Sequence, residues 1–251
     1  MTTTRTAKPP MDSIRKAALA AGLFYIATFV FSIPALGLYD GVVNDPNFVL
    51  GAGSDQRVLW GGLIEVLTAL ACIGTAVALY PVIKRHGPGR AVGFVASRTL
   101  EAAMIFTGVL AVLAVYTLRQ DFAGGTDTAA LTTTASGLVA VKEWSFLLGP
   151  GIMAAINALC FATILYQSRL VPRWMPTLGL IGAPLLLAST TATLFGAWEQ
   201  VSGPSILLAL PIATWEFSVG VYMTVKGFRT PPATDADDNV VSAPAATLAH
   251  A

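Results

Sequence analysis

Residues 17–38 read AALAAGLFYIATFVFSIPALGL, an apolar stretch without one charged side chain. The hydrocarbon core of a bilayer, about 30 Å thick, is crossed by about 20 such residues wound as an α-helix. The stretch is longer than the apolar region of a cleavable signal peptide, and no small-x-small pattern follows Pro34-Ala35-Leu36. It is expected to be retained as a membrane span. Five more runs of similar length follow: Val58–Tyr80, Ala91–Leu118, Trp144–Tyr166, Met175–Gly196 and Ser205–Val225. Each contains Gly or Pro, which membrane helices tolerate. A membrane barrel would instead show segments of about 10 residues with alternating polarity. The expected fold is therefore all-α, a polytopic membrane helix bundle with six transmembrane helices over residues 12–229.

The flanks differ in kind. Residues 1–11 form a polar N-terminal segment, and residues 230–251 a C-terminal tail rich in Ala, Pro, Thr and Asp. The tail has no periodicity and is expected to be disordered. Between the third and fourth runs, residues 120–140 hold Gly124-Gly125 and five threonines. This stretch reads as an external loop, either flexible or carrying one turn of helix.

Composition agrees with the spans. Of 251 residues, 55% are hydrophobic and 12% charged, with a mean hydropathy of +0.68. A soluble domain is about 25% charged, and so few charges cannot coat a water-facing surface. An ordinary soluble enzyme, a nucleic-acid binder and a disordered chain are excluded, and a net charge of +1 offers nothing to a polyanion. Cys72 and Cys160 lie inside apolar runs and read as small buried thiols. His86 and His250 are too few for haem ligation or for a zinc hydrolase. Cys-x-x-Cys, Gly-x-Ser-x-Gly, Walker-type and His-Glu-x-x-His patterns do not occur. No cofactor, metal or catalytic residue is expected, and enzymatic activity is disfavoured. The lipid bilayer is the expected partner. A protein partner, self-association or a small-molecule ligand stays open.

Basic residues set the expected orientation. With the N-terminus cytoplasmic, the inner segments hold Arg5, Lys8, Arg15, Lys16, Lys84, Arg85, Arg90, Arg169, Arg173, Lys226 and Arg229. The outer ones hold Arg57, Arg119 and Lys142. This bias predicts a plasma-membrane protein with both termini cytoplasmic. Tyr80, Tyr166 and Tyr222, each followed by a cation, anchor one interface. Trp60, Trp144 and Trp198 anchor the other, and Trp174 the cytoplasmic side.

The residues that could carry chemistry are the ionisable ones inside the runs: Glu65, Arg98, Glu101 and Glu216, with Asn157 as a neutral polar member. A lone charge at mid-membrane costs a few kcal/mol or more, so each should face the bundle interior. At ~1.5 Å rise per residue, Arg98 lies about 10 Å, Glu216 about 13 Å and Glu101 about 15 Å from the cytoplasmic face. Arg98 and Glu101 share a helix face at i and i+3. An Arg98–Glu101–Glu216 cluster follows, since one guanidinium fork can serve two carboxylates. It is either structural glue that fixes register or a substrate or proton site. Glu65 lies about 22 Å from that face on the same count, beyond the reach of Arg98. It is expected to be uncharged at neutral pH or open to water along the stripe of Gly61, Glu65, Thr68, Cys72 and Thr75. Asn157 reads as an interhelical hydrogen-bonder.

Several segments carry a resemblance: A-L-Y-P-V-I-K-R (78–85), V-A-S-R-T-L-E (95–101), Y-Q-S-R-L-V-P-R-W (166–174), L-G-L-I-G-A-P (178–184), P-I-A-T-W-E-F (211–217) and V-K-G-F (225–228). Together they resemble an uncharacterised family of bacterial multi-pass membrane proteins, catalogued only as a domain of unknown function. Arg98 and Glu101 match its R-x-x-E element, Arg169 to Trp174 the most specific element, and Glu216 its late glutamate. The resemblance implies an integral membrane protein and supplies no activity. Three functions stay open: a small transporter or membrane-embedded binding protein, a non-catalytic component that partners another protein, and a lipid-acting enzyme. The third is the least favoured, for want of a His cluster or nucleophile motif. A cavity reaching Arg98 and Glu65 would favour the first, and a dry packed core the second.

Overall fold

A computed structural model of the chain describes residues 12–122 and 127–229. The tail at 230–251 and the whole polar N-terminal segment at 1–11 lie outside the described residues. Six helices are long and apolar enough to cross a membrane: α1 (Ser13–Asn44), α2 (Asp55–Ile83), α3 (Pro88–Phe122), α4 (Thr128–Ser168), α5 (Trp174–Leu194) and α6 (Gly203–Val225). Among the described residues there is no strand. The all-α membrane bundle expected from the runs is thus the fold observed.

Several boundaries differ from the sequence expectation, and two of them have a clear local cause. The helix expected from Trp144 begins at Thr128 and runs 41 residues to Ser168. The threonine-rich stretch is therefore mostly helix rather than loop. Thr132, Thr133 and Thr134 each donate their hydroxyl to the carbonyl four residues back, which removes the polar cost of placing threonine in a helix. Asp127 caps the start by accepting from the Ala130 amide. At the other boundary, α5 stops at Leu194, short of Gly196. Gly196 has φ of 76° and the Ala197 amide bonds back to Ala192, a Schellman-type stop that needs glycine.

Each helix packs on its sequence neighbours, and α6 returns to α1, so the six close into a ring. Short connections make successive helices antiparallel. The ring has two ends, one carrying the α1–α2 connection and the other the α2–α3 connection. At the α2–α3 end Arg15 donates to the carbonyls of Met223, Thr224 and Val225, a cation on the C-terminus of α6. This clasp brings the two ends of the membrane domain to one side, as an even number of spans requires.

That end is filled. Tyr25, Phe94, Phe161 and Trp215 from four helices stack with centroids 5.1–6.1 Å apart and are fully buried. Leu79, Leu165 and Met223 pack around them. Here α1 and α6 cross at Gly22 and Gly220. A β-carbon on Gly22 would lie 2.6 Å from the Gly220 carbonyl oxygen, so only glycine permits the approach. At the opposite end a 3-10 helix, Pro46–Leu50, folds over the bundle and buries Phe48 and Val49 against Val112, Val115 and Leu131.

Candidate functional site: a charged cavity inside the helix ring

Above the aromatic plug the ring is not filled. A cavity of about 440 Å³ lies in it, lined by residues from all six helices. Its charged lining comprises Glu65, Arg98, Glu101, Lys142 and Glu216.

Toward the plug, α3 presents Arg98 and Glu101. The Arg98 Nη1 donates to Glu101 Oε2 at 2.9 Å and lies 3.7 Å from Glu216 Oε1 on α6. Glu101 Oε2 also accepts from Asn157 Nδ2 at 2.7 Å. The guanidinium carbon stands 5.0 Å from the centre of the Tyr25 ring. Arg98 is 1% exposed, yet its Nε and Nη2 have no hydrogen-bond partner, nor does Glu216 Oε1. The i, i+3 spacing and the matching depths thus place the three charges together, and Asn157 joins as the interhelical bonder of Glu101. Asn157 itself is fully buried and stands behind the cavity wall rather than on it.

Toward the α1–α2 end, Lys142 of α4 donates to both carboxylate oxygens of Glu65, at 2.5 and 2.7 Å. This corrects the expectation that no cation lies within reach of Glu65. The error lay in the start of α4. With that helix begun at Trp144, Lys142 fell in an outer loop. With the helix begun at Thr128, Lys142 is one of its inward residues and is buried. The usable signal was the uncharged run 128–141 immediately before Lys142.

Glycines make room for this pair. A β-carbon on Gly108 of α3 would lie 2.9 Å from Lys142 Cδ and 2.6 Å from Ser145 Oγ. A β-carbon on Gly61 of α2 would lie 2.6 Å from the Tyr39 ring, whose centre is 4.9 Å from Lys142 Nζ. The α2 stripe thereby splits: Glu65, Thr68 and Cys72 face the cavity, while Gly61 and Thr75 serve packing, Thr75 bonding its own helix at Ala71.

The α4 wall is locally wide. Leu147–Met153 forms a π-helical segment around Pro150, which has no N–H to give the regular ladder. Gly149 and Gly151 flank it, and β-carbons there would lie 2.6 Å from Met104 Cβ and 2.7 Å from Thr190 Cγ2. Both neighbouring helices therefore press on the segment, and Leu147, Pro150 and Gly151 reach the cavity.

The cavity has a mouth. From the Gly22–Gly220 crossing, α1 and α6 meet once more where Phe29 sits edge-on to Phe217. Beyond that point Ser32 and Leu36 of α1 face Ile206, Ala209 and Ala213 of α6 across the cavity. Leu36 and Ile206 are 48% and 54% exposed, so the gap between the two helices opens on the lipid-facing perimeter. Ser189, Thr190 and Ser205 add hydroxyls to the lining that sequence reasoning did not single out.

The chain matches no curated protein and no solved structure. A family model, the domain of unknown function DUF4386, matches residues 20–227, a span that takes in α2 to α6 whole and α1 from Ala20 onward. The cavity and every charged residue around it lie within those bounds, and the chain belongs to the DUF4386 family of unknown function.

Proposed function

We propose that the protein is a small transporter or membrane-embedded binding protein whose ligand site is the cavity inside the helix ring. The observation that carries this reading is that all five charged side chains of the bundle interior border one open volume. Helix association in a bilayer rests on van der Waals contact, and an unfilled interior forgoes it. Charges that only fixed helix register would do so at a packed seam. In this reading the membrane is the plasma membrane, both termini are cytoplasmic, and the cavity lies in the outer half of the bundle.

Cysteine labelling tests the reading. In a Cys72→Ser/Cys160→Ser background, Thr190→Cys and Ala209→Cys stand on the cavity wall, and Ala158→Cys stands in the packed core. A small membrane-permeant thiol reagent is expected to modify positions 190 and 209 and to spare 158. Equal protection at all three would mean a dry interior and would favour a non-catalytic component that partners another protein.

A further inference from the structure

The charges bordering the cavity do not balance. Three carboxylates, Glu65, Glu101 and Glu216, face two cations, Arg98 and Lys142, and every other lining side chain is neutral. An unmatched charge in a low-dielectric interior is costly, so one positive charge must accompany the set.

The geometry identifies which carboxylate lacks it. Both oxygens of Glu65 are held by Lys142. Glu101 is held by Arg98 and Asn157. Glu216 has only the Arg98 Nη1 at 3.7 Å, beyond hydrogen-bond length, and its Oε1 is unpartnered. The groups that face it are Tyr25 from α1, Cys72 from α2, Arg98 and Glu101 from α3, and the Lys142–Glu65 pair across the cavity. From α5 the lining brings only neutral side chains, Leu186, Ser189, Thr190 and Thr193.

The path from Glu216 to the mouth is uncharged and mostly apolar: Ala213, Ala209 and Ile206 on α6, Phe29 and Leu36 on α1, with Ser32 and Ser205 as its hydroxyls. The volume is that of a drug-sized ligand site, ~300–1,000 Å³. An anion would find free N–H groups on Arg98, but it would leave the set one positive charge short with the Glu216 proton in place and two short without it. A cation neutralises the set.

We propose that the cavity takes lipophilic cations from the membrane through the α1–α6 gap, seats the positive centre at the Glu216 carboxylate, and releases the proton that Glu216 otherwise carries. This inference rests on the cavity being a ligand site. The exchange is balanced: the protonated acid and the cation give the ion pair and one proton delivered to water. It is not a redox step and needs no further reactant.

The test uses tetraphenylphosphonium and its anionic counterpart of like shape, tetraphenylborate, with the full chain in lipid nanodiscs. The phosphonium is expected to bind with release of one proton per cation. Its Kd should fall about tenfold per pH unit of rise while Glu216 carries the proton. Glu216→Gln should abolish proton release and weaken binding by about tenfold or more. Glu216→Asp keeps the charge and should keep proton release, and Ala213→Trp should block binding by filling the adjacent volume with every charge intact. Tighter binding of tetraphenylborate, binding without proton release, or no binding of either probe while cysteines at 190 and 209 still react would each overturn the cation inference and spare the cavity reading. Protection of those cysteines would bring down the cavity reading itself.

Discussion

Lys142 and Glu65 stand 77 residues apart in the chain, and the lysine ammonium lies within 2.7 Å of both oxygens of the glutamate. They tie α4 to α2 across α3, the helix that lies between them in the chain. No single element positions the pair: α4 must start at Thr128, Gly108 must leave room on α3, and Tyr39 must roof the ammonium.

Removing one partner should therefore cost more than removing both. Lys142→Met leaves a buried carboxylate with no cation, and a broken buried pair costs about 3–5 kcal/mol. Glu65→Met/Lys142→Met replaces the pair with apolar side chains of similar length and should recover most of that loss. Reversible unfolding of the purified protein in mixed micelles measures both. A double variant no more stable than Lys142→Met would show that the pair is not the coupled unit described.

Gly108 supplies a second test of the same assembly. Gly108→Ala places a methyl 2.6 Å from Ser145 Oγ and 2.9 Å from Lys142 Cδ, so α3 and α4 must separate or Lys142 must leave Glu65. Overpacking of this kind costs about 1–3 kcal/mol. Gly137→Ala is the matched control, since nothing lies within 4 Å of its added methyl. It should raise stability by up to about 1 kcal/mol through helix propensity. Melting temperatures of the two variants should move in opposite directions.

The limits of the sequence are visible at these same residues. Apolar runs of spanning length announced six helices because the bilayer imposes that length. The i, i+3 spacing of Arg98 and Glu101, and the depth of Glu216, announced the inner cluster because depth follows from rise per residue. Lys142 escaped because its charge and that of Glu143 ended the apolar run, although one faces inward and the other outward on the helix. Closure of the ring, the gap between α1 and α6 and the cavity itself depend on how helices lean against one another. Gly22, Gly108 and Gly149 encode those approaches, but only once the facing residue is known. Pro150 between two glycines passed as a residue that membrane helices tolerate, and its π-helical segment on the cavity wall is seen only in the structure.

Arg119 should hold the α1–α2 connection closed. From the end of α3 its guanidinium donates to the carbonyls of Phe48, Gly51, Ala52 and Gly53, pairs with Asp55 at 2.8 Å, and stands 4.5 Å from the Phe48 ring. Hydrogen bonds from a charged donor contribute about 1.5–3 kcal/mol, equivalent to about tenfold or more in local opening. Arg119→Ala is expected to speed amide exchange at residues 47–53 by that factor and to leave α5 and α6 unchanged. Arg119→Lys should restore little, because an ammonium cannot reproduce the planar fork that spans these carbonyls. Equal exchange in wild type and Arg119→Ala would remove the arginine as the fastener.

The orientation of the ring in the membrane follows from which end carries the cations. The burial of Lys142 takes it out of the count for the α1–α2 end and leaves Arg57 and Arg119 there. Both are committed to backbone carbonyls, Arg57 donating to Gly37 and Arg119 to the loop after Pro46. At the other end Lys84, Arg85, Arg90, Arg169, Arg173, Lys226 and Arg229 surround the α2–α3 and α4–α5 turns and the end of α6, and Arg15 joins them on the C-terminus of α6. Cations near helix ends are retained on the cytoplasmic side. A reporter active only in the cytoplasm should therefore be on when fused after His86 or after Arg229, and off when fused after Arg119. The Arg15 clasp requires the first two points to agree with the side on which α1 begins. Activity after Arg119 together with activity after Arg229 would mean that α4, α5 and α6 do not cross the membrane as three spans. Activity after Arg119 alone would turn the ring over and place the cavity mouth in the inner half of the bilayer.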